Sequence, residues 1–384
     1  MNSQKFYLNL MIIFIGIASL TYNTSIHFLR SIGYGSVIVL FCAGLLLFII
    51  NKKFNKLTQP SVIVLVYIIF FLYLLGMARN FTFIAIKDLC LFLISMIFFL
   101  SFLKIDMRFF NHKLCAFIIG IQLVILYFPL LLHTGFSSID NGYKSIYSTT
   151  TFLGIFSCLM SEIALLCWVR FQNKIWITYV FFWGYLCWVS KVRTALVAMT
   201  LLIGLLCFSK IAYQLNLRKK YGYILKWVVI SSIFLFIFVY PTIQKTSWFP
   251  SLSLFVYVTT GKVLMSGRDI IWKDAFNLIQ NKWLLGYGLD YSYLGEISIH
   301  NSYLNILLQG GILQLSIIII FINLLLNYII NYNNDFKLLC LICCLVNLLM
   351  CVTETMLFGG QIIIQILIWV IWGISVNKEV GAYK

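Results

Sequence analysis

The chain has 384 residues, 62% hydrophobic and only 10% charged, with a formal net charge of +17 at pH 7 and a mean hydropathy of +0.98. Soluble domains carry about 25% charged residues, so this composition excludes a row of soluble domains. It points to a single transmembrane domain over 1–384, an all-α polytopic membrane protein. The 28 Lys and Arg are dispersed through short connections and form no basic stripe, which excludes nucleic acid as a partner and leaves membrane lipids with their anionic headgroups.

Apolar runs near the ~20 residues needed to cross a bilayer predict about twelve transmembrane helices. They lie at 6–22, 35–50, 61–78, 83–103, 114–134, 151–169, 175–190, 194–209, 227–243, 302–330, 338–352 and 360–376. Lys5 ahead of the first run looks like a signal peptide, but further spans follow at once, which favours an uncleaved first helix. The eleven Cys all fall inside apolar runs, as small core hydrophobes do, without the loop spacing of a disulfide framework or a zinc site.

The larger share of the basic residues falls on one set of alternate connections, among them Lys52, Lys53, Lys56, Arg170, Lys174, Lys219 and Lys220. By the positive-inside rule that side is cytoplasmic and holds both termini. Residues 244–300 then form one long periplasmic segment. Arg79 and Lys87 flank the outer start of the fourth span. Residues 135–150 make a polar loop with turn residues. Lys191-Val192-Arg193 is a very short outer turn, where cations are disfavoured unless they mark a substrate route or simply stop two spans. Asp88, Glu162 and Glu354 are ionisable residues in or beside spans, and helix pairing accounts for them as well as catalysis does.

Within the long segment, Ser266-Gly267-Arg268-Asp269 reads as a capped helix start. Ile271, Ala275, Leu278 and Ile279 follow at helical spacing, widened by Trp272, Phe276 and Trp283, as in an interfacial helix with aromatic anchors. A cation in the first turn opposes the helix dipole by about 0.3–1 kcal/mol. Arg268 therefore makes sense if an anion such as phosphate binds beside the exposed backbone N–H groups, the competing reading being a side chain reaching for headgroups. Gly286-Tyr287-Gly288 lacks the context of a dinucleotide loop and reads as a turn.

His300 precedes Asn301-Ser302-Tyr303-Leu304. A lone His is more often an ordinary loop residue, yet its reference pKa of ~6.5 suits removal of a hydroxyl proton. The run 302–330 would span about 43 Å at ~1.5 Å per residue, too long for a ~30 Å hydrocarbon core. Gln309-Gly310-Gly311 is the expected break, giving a short outer helix 302–309 and a span from about 312. His300 would then sit above a cavity.

K-V-R-T-A-L at 191–196, S-G-R-D-I-I-W at 266–272, G-Y-G-L-D at 286–290 and H-N-S-Y-L at 300–304 with the later Q-G-G together resemble the O-antigen polymerase and ligase superfamily. The resemblance covers about 185–315 and the many-helix layout. It implies an inner-membrane, metal-independent glycosyltransferase without cofactors, acting on undecaprenyl-pyrophosphate-linked glycans, with a chain-length regulator protein as a further partner. It implies that Arg193 and Arg268 meet the lipid pyrophosphate and that His300 activates the acceptor hydroxyl, with Lys191, Arg79, Asn301 and Tyr303 as substrate-binding neighbours. The chain departs from the commonest pattern at Lys191 and at Gln309, where an acidic residue often precedes the glycines. The short chain, rich in Ile, Phe, Asn and Lys, favours a polymerase of O-antigen or capsular repeat units. The alternatives are a ligase passing glycan to lipid A core or protein and, in another class, a lipid-linked oligosaccharide flippase. Against the flippase stands the lack of paired broken spans in corresponding halves.

Overall fold

The computed structural model describes residues 2–50, 60–132, 142–214, 218–239, 243, 246–260, 268–291, 299–332 and 334–377. Helices α1 (Asn2–Thr21), α2 (His27–Ile50), α3 (Pro60–Arg79), α4 (Phe83–Leu103), α5 (His112–Leu131), α6 (Thr150–Phe171) and α7 (Lys174–Val189) make the first part. There follow α8 (Arg193–Gln214), α9 (Arg218–Phe238), α10 (Phe249–Thr260), α11 (Arg268–Asn281), α12 (Ser302–Asn331), α13 (Asp335–Thr353) and α14 (Ile362–Val376). Among the described residues nine helices, α1–α6, α9, α12 and α13, are long and apolar enough to cross a membrane. The protein is an α-helical, polytopic membrane protein. The other three expected spans fall on shorter helices: α7 with 16 residues, the apolar part Arg193–Ser209 of α8, and α14 with 15 residues. At ~1.5 Å per residue, α14 covers about 22 Å of a ~30 Å core. Its side chains are buried along nearly the whole helix, so protein rather than lipid surrounds it.

Polar residues show which helices lie inside. The central pair α6 and α13 join through Asn347, whose Nδ2 donates to Glu162 at 3.1 Å. Between α4 and α14, Ser95 Oγ donates to Gln365 Oε1 at 3.2 Å. Such pairing satisfies polar groups that lipid cannot, and it accounts for Glu162 as a helix-pairing residue. Around this centre α1, α2, α3 and α5 expose large apolar side chains such as Phe28, Phe71, Phe117 and Val124, the pattern of a lipid-facing layer.

Connections that bear on function gather at one end of the bundle, tied by hydrogen bonds. Ser25 N donates to Ile146 O and Tyr143 N to Val189 O. The Thr353 and Thr194 hydroxyls meet at 3.1 Å, and Ser302 Oγ donates to Glu354 O at 2.9 Å. Residues 142–149 of the expected polar loop thus pack onto the turns after α1 and α7.

The helix break stands where the excess length put it. α12 runs from Ser302 to Asn331, but Gly311 has φ 65° and ψ −166°, which divides it in two. A break inside a membrane bundle frees backbone groups that need partners. The turn after α11 supplies them: Tyr287 N and Gly288 N donate to Leu308 O and Gln309 O at 2.7 and 2.9 Å, and Ile312 N donates to Trp283 O at 2.8 Å. A Cβ on Gly311 would run into the Leu284 carbonyl, and one on Gly286 would lie 2.6 Å from Leu308 O. The two glycine-rich motifs therefore interlock backbone to backbone. The loop is held from its other side by α3 and the residue after it, through Leu289 N to Gly76 O and Asn80 Nδ2 to Tyr287 O.

The amphipathic helix α11 turns Trp272, Ala275 and Ile279 inward and leaves Ile270 exposed. Trp272 is buried and edge-on to Phe236 of α9, so it packs into the bundle; Trp283 is the exposed one. The sequence reading did not anticipate α10, a helix opened by Phe249-Pro250 with proline in the first turn, where its missing N–H costs nothing. Ser266 and Gly267, with the Asp269 side chain, lie outside the described residues, and so does the capping box expected there.

Candidate functional site

The site is assembled from three chain segments around one carboxylate. Glu354 follows the last residue of α13 with extended backbone. Its carbonyl accepts from Ser302, whose Oγ also accepts from Met356 N at 2.8 Å and Leu357 N at 3.2 Å. One hydroxyl, used as donor once and acceptor twice, thus locks the 354–357 turn onto the start of α12. Asn301 caps α12, its Oδ1 accepting from Tyr303 N and Leu304 N at 2.9 and 3.0 Å. Just before it, His300 has φ 45°, a left-handed conformation uncommon for any residue but glycine. Ile299 is fixed by Trp272, whose Nε1 donates to Ile299 O at 2.6 Å. Held on both sides, His300 is turned toward Glu354. Backbone strain of this kind costs on the order of 1–3 kcal/mol and persists where surrounding structure enforces it.

Arg268, the first residue of α11, places Nη2 2.6 Å from Glu354 Oε1, and His300 places Nδ1 3.3 Å from Glu354 Oε2. The side chains grade from inside to outside: Glu354 is 8% exposed, Arg268 20% and His300 45%. The carboxylate is the buried anchor and the imidazole is the most exposed of the three. Arg193 is the first residue of α8, next to Thr194, which is tied to Thr353 beside Glu354. Arg193 and Arg268 lie close enough for their charges to interact. The two arginines therefore share one electrostatic environment. Among the described residues, two cations against one carboxylate leave that environment positive, with the N-terminus of α11 adding its own partial charge. An oxyanion of more than one charge fits such a place.

Arg193, Arg268 and His300 are thus brought together across 107 sequence positions (193 to 300). The four expected neighbours are placed differently. Lys191 occupies the exposed turn before α8 with φ 54°. Arg79 is exposed and donates from Nη1 to Leu285 O at 2.5 Å, gripping the loop that fills the helix break. Asn301 is fully buried as the cap, and Tyr303 is buried with its hydroxyl on Leu348 O at 3.0 Å. Asn301 and Tyr303 face the fold, and their ordered positions orient His300. Glu354 is the site residue that sequence reasoning left among the helix-pairing candidates. Its signal was an acid at the outer end of a span, the same end as the Arg and His motifs. No protein-family model matches the chain, and no curated protein matches it.

Proposed function

We propose that the chain is a metal-independent glycosyltransferase of the bacterial inner membrane that polymerises undecaprenyl-pyrophosphate-linked repeat units into O-antigen or capsular polysaccharide. The observation that carries the reading is the meeting of Arg268 and His300 on Glu354, with Arg193 close enough to Arg268 for their charges to interact. In the reaction, a hydroxyl oxygen of the acceptor sugar attacks the anomeric carbon of the donor glycan. The bond from that carbon to the pyrophosphate oxygen breaks, and undecaprenyl pyrophosphate leaves with the electron pair. Arg193 and Arg268 stabilise the charge that develops on the leaving group. The acceptor proton goes to His300. With Nδ1–H directed at the Glu354 carboxylate, Nε2 is the basic nitrogen, and the carboxylate stabilises the imidazolium that forms.

The reading places the active site on the periplasmic face with both termini cytoplasmic, as the basic residues of the connections suggest. The same groups would serve a ligase, and the products separate the two. In a deletion strain, core carrying a single repeat that wild-type gene extends to full-length polymer supports the polymerase; bare core with retained lipid-linked polymer replaces it with the ligase. An Arg268→Ala protein that still yields full-length polymer would remove the arginine from the mechanism.

A further inference from the structure

Below the arginine–histidine cluster, one face of the first half of α12 stays polar as it enters the bundle. Asn305 and Gln309 follow Asn301 at one-turn intervals, ~6 Å apart along the axis. They are 8% and 2% exposed. Gln309 Nε2 donates to Asp88 Oδ2 on α4 at 3.1 Å and to Leu289 O at 3.4 Å. Asn305 Oδ1 accepts from the Tyr291 hydroxyl. Burial first, and then the nearby Asp88 charge, raise that hydroxyl above the ordinary tyrosine value. Asp290, beside Tyr291 in the chain, accepts from Thr82 Oγ1 at 2.6 Å.

The helix break does not explain these side chains. Its freed carbonyls at Leu308 and Gln309 are already taken by Tyr287 N and Gly288 N. Gln309 Oε1, buried in the middle of the cluster, has no hydrogen-bond partner. A buried acceptor left unsatisfied costs stability, all the more where lipid replaces water. Something with a hydroxyl or amide hydrogen to donate would satisfy it.

The chemistry of the walls limits that ligand. An anion would face Asp88 and Asp290, with the exposed Lys87 of opposite sign beside Asp88. An apolar group would leave Gln309 Oε1 and the carboxylate unmatched. A polyol offers donors to Asp88 and Gln309 and acceptors to amide N–H groups, with the ring of Tyr291 as a neighbour. The cluster is also continuous with the first site: Asn305 lies against Gly359 in the turn that begins at Glu354.

We propose that Asp88, Gln309, Asn305 and Tyr291 form the subsite for the hydroxyls of the acceptor sugar. The inference rests on the glycosyltransferase reading above and divides its site by charge. The pyrophosphate takes the arginine end, the uncharged glycan takes the carboxylate and amide end, and His300 stands at the junction.

The test uses two probes on purified full-length protein in nanodiscs. One is inorganic pyrophosphate. The other is the repeat-unit oligosaccharide released by mild acid from the host's own lipid-linked pool. Asp88→Asn and Gln309→Leu should each weaken the oligosaccharide about tenfold and leave pyrophosphate within about twofold, as expected when a buried polar partner is lost. Arg268→Ala should do the reverse. Thermal unfolding verifies each variant, and Asn305→Ala replaces any that does not fold. Variants that bind the oligosaccharide like wild type would reduce the cluster to a place for structural water and overturn the inference, leaving the glycosyltransferase reading intact. Wild-type protein that binds neither probe would overturn that reading itself.

Discussion

Glu354→Gln should raise the affinity for pyrophosphate while lowering turnover. Glu354 holds Arg268 at 2.6 Å, so an arriving pyrophosphate competes with a carboxylate for the same guanidinium. Two unit charges about 4 Å apart interact by ~4 kcal/mol at an effective dielectric of ~20. Desolvation of a carboxylate that is 8% exposed offsets much of that. We put the net relief at about tenfold in affinity, or ~1.4 kcal/mol. Turnover moves the other way, because Gln cannot stabilise the imidazolium at 3.3 Å. That contact is longer than the ~2.7–2.9 Å of strong charge-assisted bonds, so the loss belongs near the lower end for acid–base catalysis, about 10²-fold. Calorimetric titration with pyrophosphate and polymer formation from lipid-linked repeats measure the two arms. A variant that binds pyrophosphate more weakly, or that polymerises at the wild-type rate, would refute the competition.

Gly311→Ala should lower the thermal unfolding midpoint in detergent by an amount equivalent to about 2–4 kcal/mol, since its φ of 65° and the Leu284 carbonyl leave no place for a Cβ. Trp272→Phe keeps the buried ring but loses the bond to Ile299 O. It should cost about 1 kcal/mol of stability and a larger share of activity, because His300 follows directly. Tyr303→Phe should also cost about 1 kcal/mol by freeing Leu348 O, with pyrophosphate titration unchanged; a tenfold loss of affinity would return Tyr303 to the binding site.

Local pattern carried much of the fold. The break in α12 was legible because a run too long for the bilayer contained Gln309-Gly310-Gly311, and Gly311 is indeed where the helix parts. What fills the break was not legible. Gly286-Tyr287-Gly288 reads as a turn in isolation, and only three-dimensional pairing shows that its N–H groups satisfy Leu308 and Gln309. Adjacency misled in the opposite direction. Asn301 and Tyr303 stand beside His300 in the chain, but the left-handed backbone at His300 sends its ring toward Glu354 while the following turn of α12 points inward. Glu354 differs from Glu162 in sequence only by standing at the end of an apolar run and not within one, and that difference does not say which partners each would find. One finds Asn347 in the bundle centre, and the other finds Arg268 and His300 at its end.

The Arg268–Glu354 ion pair also bears on which anions the proposed site would accept. Arg193 and Arg268 are close enough for their charges to interact, so without the carboxylate they would repel in a partly buried place. Glu354 relieves that repulsion, and in doing so sets a threshold. A monoanion that displaces it from Arg268 exchanges one charge for another and must still desolvate, so it gains little. A pyrophosphate, carrying several charges and oxygens, can engage both guanidinium groups while Glu354 keeps His300. Acetate or chloride should therefore compete poorly with pyrophosphate in wild-type protein and better in Glu354→Gln. Discrimination that is the same in both proteins would mean that the carboxylate plays no part in selecting the anion.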